Sequence, residues 1–73
     1  MPLRPLSYRQ VKRKLEKAGF TIASQRGSHI KFVRYNSDGV QTAIVPYHRE
    51  ISVGLLRSIL RQAGLTPNEF DKL

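Results

Sequence analysis

The sequence predicts an α+β fold in which one helix precedes three strands and a second helix follows them, with a short helical turn at the C-terminus. Three observations predict it: apolar residues at helical spacing near both ends, alternating apolar and polar residues between them, and glycines or prolines at the boundaries. Short connections favour a three-stranded antiparallel sheet with both helices on one face. We expect residues 1–73 to form one small domain whose other sheet face is open to solvent or a ligand.

The first helix is predicted over Tyr8 to Ala18. Ser7 and Gln10 match a capping box at its start. Gly19 matches the left-handed residue that commonly ends a helix. The apolar stripe of this helix leaves its basic residues outside the core, and four of them are candidates to bind a polyanion: Arg9, Lys12, Arg13 and Lys17.

The second helix follows a predicted cap at Ser52 and ends before Gly64. Its apolar residues form a wide stripe suited to a core: Leu55, Leu56, Ile59, Leu60 and Ala63. Thr66 and Glu69 form another capping-box pattern, which predicts the short C-terminal turn.

The three strands are predicted over Phe20 to Gln25, His29 to Tyr35 and Val40 to Val45. The first is expected to be half-buried because Phe20 and Ile22 alternate with polar residues. In the second, a period of two places Ile30 and Phe32 on one face. The opposite face receives His29, Lys31, Val33 and Tyr35.

Composition limits the class of protein. The chain has no cysteine, which excludes disulfides and thiolate metal sites. No apolar run approaches the roughly 20 residues of a membrane-spanning helix, and residues 1–5 lack the apolar stretch of a signal peptide. We therefore expect a cytoplasmic protein with no membrane association.

The positive charge is concentrated in the first half of the chain. The net charge is +8; residues 1–34 contain nine Lys and Arg residues against one acid, whereas residues 35–73 contain four of each sign. Such asymmetry indicates a polyanionic partner, nucleic acid first and an acidic protein second. The alternative is a solvated basic face that aids solubility.

His29 is the leading candidate for proton transfer. It follows a turn, Arg26-Gly27-Ser28, whose guanidinium, backbone amide and hydroxyl could bind a phosphodiester together with Lys31. Histidine is the side chain suited to acid–base chemistry near neutral pH. The alternative is a strand-end histidine with no chemical role.

Tyr35 and His48 are candidate supporting residues. Tyr35 shares the predicted open face with His29. His48 lies in a loop before the second helix, where it could bind phosphate, pair with Glu50 or hold the loop in place.

The carboxylates are too dispersed to suggest a two-metal nuclease site. We therefore predict that any nuclease activity needs no metal or other cofactor. RNA allows such chemistry because its 2′-hydroxyl can attack the adjacent phosphate, a group that DNA lacks.

Four segments, which follow one another in the same order as in the family, resemble the HicA, or YcfA-like, family of toxin–antitoxin ribonucleases. They are residues 15–20, Gly27-Ser28-His29, Val45-Pro46-Tyr47-His48 and residues 54–65, and the resemblance extends over about residues 7–71. The element order also resembles the double-stranded-RNA-binding-domain fold.

The resemblance implies an mRNA endonuclease that inhibits translation, with His29 as its catalytic histidine. It also implies an antitoxin of the HicB type that masks the active site, in a hetero-oligomeric toxin–antitoxin complex. Two other classes fit the residues: a non-catalytic RNA-binding module of the same fold, and an interaction domain whose basic face binds an acidic protein.

Overall fold

A computed structural model describes residues 3–73; Met1 and Pro2, part of the segment inspected for a signal peptide, lie outside the described residues. The elements follow the predicted α-β-β-β-α order with a short third helix, which confirms the α+β fold. They are α1 (Tyr8–Lys17), β1 (Thr21–Arg26), β2 (His29–Asn36), β3 (Gly39–Pro46), α2 (Val53–Ala63) and α3 (Pro67–Asp71).

Both ends of α1 carry the predicted signals. The Gln10 amide N–H donates to Ser7 Oγ at 3.2 Å, and the Ser7 N–H donates to Gln10 Oε1 at 2.9 Å, which completes the capping box. At the other end Gly19 has a φ of +98°, and the Phe20 N–H donates to the Leu15 carbonyl at 2.9 Å. This Schellman arrangement turns the chain into the sheet.

The same device ends α2, where Gly64 has a φ of +72°. The Leu65 N–H donates to the Leu60 carbonyl at 3.0 Å. At its start, Ser52 accepts a hydrogen bond from the Leu55 N–H, as the sequence predicts.

The strands form an antiparallel sheet in the order β1-β2-β3. The predicted half-burial of the first strand is confirmed only at Phe20, which is buried just before β1. Every residue of β1 itself is exposed, including Ile22 at 45%. A register shift between Ile22 and Ser24 interrupts the alternation. In addition, α2 packs against β3, at the opposite edge of the sheet, so β1 receives less cover.

The core lies between the helices and one face of the sheet. Ile30 and Phe32 of β2 are buried there, as predicted, beside Ala43 and Val45 of β3. The helices contribute buried residues from their apolar stripes: Val11, Leu15, Leu56, Ile59, Leu60 and Ala63. Both helices therefore cover the same face, and His29 and Lys31 point to the other.

Gly64→Ala should lower the free energy of unfolding by roughly 1–2 kcal/mol, because an L-residue is strained in left-handed backbone and its Cβ would overlap the Gln41 side-chain amide. Gly54→Ala, in α2, is the matched control. Its Cβ would meet only Ser52 Oγ at 4.0 Å, so we expect a gain of about 0.4–1 kcal/mol. Urea denaturation measures both; equal effects would contradict this explanation of the helix end.

Candidate active site and nucleic-acid interface

Two adjacent grooves contain most of the candidate site residues. The first, here called the histidine groove, has a volume of about 280 Å³ and lies between β3 and α2. Its lining comprises His29, Ile44, Pro46, His48, Leu55, Ser58, Ile59 and Gln62. The two histidines of the chain, nineteen positions apart in sequence, therefore line one groove.

His29 is placed by the tight turn that precedes it. Gly27 and Ser28 form a two-residue hairpin loop, and Gly27 has a φ of +60°, as the first loop position of a type II′ turn requires. His29 is then the first residue of β2, paired with Arg26 on one side and Pro46 on the other. Its side chain is exposed and can reach a ligand.

His48 is placed by the end of β3. The Tyr47 N–H donates to the Ser28 carbonyl at 2.6 Å, which holds the chain beside the β1–β2 turn for one residue beyond Pro46. The His48 N–H then donates to the Pro46 carbonyl at 2.9 Å and turns the chain. Within residues 3–73 the one ion pair joins Lys12 to Glu16, so the suggested pairing of His48 with Glu50 is not formed.

The second groove, here called the tyrosine groove, has a volume of about 720 Å³ and lies where the α1 N-terminus meets the β3–α2 loop. Its lining comprises Ser7, Tyr8, Arg9, Lys12, Tyr47, His48 and Arg49. His48 lines both grooves, which makes them neighbours.

The two tyrosines meet edge to face, with ring centroids 4.8 Å apart. Burial raises the pKa of Tyr8, and Tyr47 and Glu16 raise it further. The Tyr8 hydroxyl therefore remains protonated at neutral pH and can donate a hydrogen bond.

The basic residues predicted on α1 divide into two pairs. Arg9 and Lys12 line the tyrosine groove, and a salt bridge of 3.3 Å to Glu16 partly neutralises Lys12. Arg13 and Lys17 are exposed but line neither groove.

The predicted residues on the sheet are also divided. Arg26, Gly27 and Ser28 adjoin His29 directly, and Lys31 is the next residue on its face of β2. Tyr35 is six residues further along the strand, about 20 Å away by the strand rise. The structure therefore does not bring Tyr35 together with His29.

Several residues that line the grooves are not predicted as site residues from the sequence. The sequence predicts only a helical position for Tyr8 and gives no role to Arg49; Ser58 and Gln62 lie on the polar side of α2. Their signal was weak because it depends on contacts between distant segments. The run Pro46-Tyr47-His48-Arg49, an aromatic ring and basic side chains after a strand-ending proline, was the available indication.

Residues 3–73 contain no group of three or more His, Cys, Asp or Glu side chains placed to hold a metal ion. None of their helices combines the length and apolar character needed to cross a membrane.

Residues 8–65 match the family described as HicA toxin of bacterial toxin–antitoxin systems, a segment that includes both histidines and most of both grooves. A comparison with curated proteins found no match. Since the matched segment covers well over half of the 73 residues, the chain belongs to the HicA toxin family.

Proposed function

We propose that this toxin is an endoribonuclease that cleaves mRNA and thereby inhibits translation, with His29 as its catalytic residue. The observation that carries the proposal is the histidine groove, where His29 and His48 line one groove beside a basic turn. Membership in a toxin family supplies the biological setting.

The proposed reaction needs one group that accepts a proton and one that donates a proton. The base removes the proton of the RNA 2′-hydroxyl, whose oxygen then forms a bond to the adjacent phosphorus. As the bond to the 5′-oxygen breaks, the acid protonates that leaving oxygen. Two imidazoles in one groove can fill both roles, because histidine exchanges protons near neutral pH.

The neighbouring basic residues would hold the phosphate during this reaction. Arg26 and Lys31 lie beside His29 on the open face of the sheet. Ser28 and the amide of Gly27 offer hydrogen-bond donors from the turn. Charge and donors of this kind stabilise the negative charge that develops on phosphate oxygens in the transition state.

His29→Ala should lower the RNA cleavage rate by about 10²–10⁴-fold, the usual contribution of a general acid or base, and should abolish growth arrest. His48→Ala should also slow cleavage, whereas a purely structural role predicts rescue by His48→Asn. His29 is exposed, so the folded state and RNA affinity should persist. Undiminished cleavage by folded His29→Ala, with contaminating nuclease excluded, would contradict the assignment of His29 as the catalytic residue. Absence of cleavage by the wild-type protein would leave a non-catalytic RNA-binding module as the function.

Cleavage should continue in a chelator and should stop when the nucleotide at the scissile bond carries a 2′-deoxy group. Cleavage in a chelator and cleavage of the substituted RNA are measured in separate assays of one purified protein. The unsubstituted RNA is the control. Loss of activity in chelator with recovery on adding Mg²⁺ would contradict the metal-independent mechanism. Cleavage of the deoxy-substituted strand would contradict attack by the 2′-hydroxyl.

We also propose that an acidic antitoxin of the HicB type covers His29 in a hetero-oligomeric complex. The net charge of +8 favours fast association with an acidic partner. Apolar contacts are available on the same open face, where exposed Tyr35 pairs with Val40 and Lys31 pairs with Ile44. Val33 contributes little, because only 7% of it is exposed between Thr21 and Thr42.

Hydrogen exchange should show protection of residues 26–35 when the antitoxin binds. The free toxin is the reference, and helix α3, which lines neither groove, is the internal control. Protection confined to α2 and the C-terminal tail would contradict direct masking of the active site.

A further inference from the structure

The tyrosine groove has the composition of a nucleotide-binding surface. Three cationic side chains line it, those of Arg9, Lys12 and Arg49, and no carboxylate does. Its volume of about 720 Å³ lies within the range of ligand pockets, roughly 300–1,000 Å³. Proton transfer at His29 does not require these residues.

Tyr47 gives this groove an aromatic platform. Its side chain is 63% exposed, although it belongs to a loop whose backbone is hydrogen-bonded to Ser28. The edge-to-face contact with Tyr8 holds its ring, and the Tyr8 ring in turn meets the fully buried Phe32 with centroids 6.4 Å apart. A held ring with an open surface loses little conformational freedom when a base stacks on it.

The position of His48 connects this platform to the proposed reaction. Because His48 lines both grooves, a strand with its scissile phosphate at His29 can continue past His48 into the tyrosine groove. Bases within a duplex are stacked on one another and paired, so away from the duplex ends a nucleotide must be unpaired to place its base on a tyrosine ring.

We propose that the tyrosine groove binds one unpaired nucleotide next to the scissile phosphate. Its base stacks on Tyr47, and its phosphate contacts Arg9, Lys12 and Arg49. This inference rests on the proposed ribonuclease function for the direction of the strand, but the binding itself can be measured without cleavage. The toxin would thus select single-stranded RNA despite a fold that resembles duplex-binding domains.

The test measures the affinity of His29→Ala protein for a fluorescein-labelled 2′-O-methyl hexanucleotide by anisotropy. Adding Tyr47→Ala should weaken binding about 5- to 150-fold, the usual loss for one stacked base, while Tyr47→Phe should retain it. The affinity for the hexanucleotide annealed to its complement should be the same with and without the Tyr47→Ala substitution. Unchanged affinity of folded Tyr47→Ala for the single strand would overturn the proposal.

Charge variants provide a second measurement if Tyr47→Ala does not fold. Arg49→Gln, an exposed position, should reduce the salt dependence of single-strand binding by about 0.7 in slope, the value for one lost phosphate contact. Arg61→Gln, exposed on α2 and outside both grooves, is the matched control and should leave the slope unchanged. Equal slopes for the two variants would overturn the proposal.

The ribonuclease and the nucleotide site can fail separately. If wild-type protein does not cleave RNA but the hexanucleotide binds in a Tyr47-dependent manner, the site stands and the catalytic proposal falls. If RNA is cleaved and neither Tyr47→Ala nor Arg49→Gln alters binding, the catalytic proposal stands and the nucleotide site falls.

Discussion

Burial of Ile30 and Phe32 against the two helices determines the geometry of the whole site. These side chains lie on one face of β2 and are almost fully enclosed. Because successive residues of a strand point to opposite faces, His29 and Lys31 must then face outward. A slip of one residue in the pairing would exchange the two sets, and the cost of exposing Phe32 and burying Lys31 makes that slip very unfavourable.

The electrostatic character of the surface depends on which Lys and Arg side chains the fold leaves free. Arg34 donates to the Ala18 carbonyl at 2.9 Å and lies over the Phe20 ring, which joins the end of α1 to the sheet. Lys14 donates to the carbonyls of Phe70 and Leu73. Both cations therefore satisfy backbone oxygens at helix ends. The Lys and Arg side chains around the grooves are thus only part of the positive charge of the chain.

Local signals in the sequence were sufficient to predict the helices. Ser7, Gln10 and Gly19 act on backbone groups a few residues away, so their effects can be read without knowing the fold. The same is true of the alternation in β2. The strand β1 was predicted, but the exposure of Ile22 was not, because its surroundings depend on a register shift and on which strand α2 covers, and neither is encoded in a short segment.

The candidate site was predictable only in part, for a related reason. The turn before His29 is local, and it was identified. The proximity of His48 to His29 depends on the Tyr47–Ser28 hydrogen bond between segments nineteen residues apart. The tyrosine groove requires α1 and the β3–α2 loop to meet, so Tyr8 carried no sequence signal beyond that of a half-buried helix residue.

The loop that carries Tyr47 and His48 is held at both ends. Beyond it, Leu6 and Ile51 form an isolated antiparallel bridge, in which the Leu6 N–H donates to the Ile51 carbonyl at 3.1 Å and the Ile51 N–H donates back at 2.6 Å. A chain emerging from the ribosome cannot close this bridge until Ile51 has left the exit tunnel. Neither groove can therefore form from the residues before Ile51 alone, and the histidine groove also needs Ser58 and Gln62 of α2.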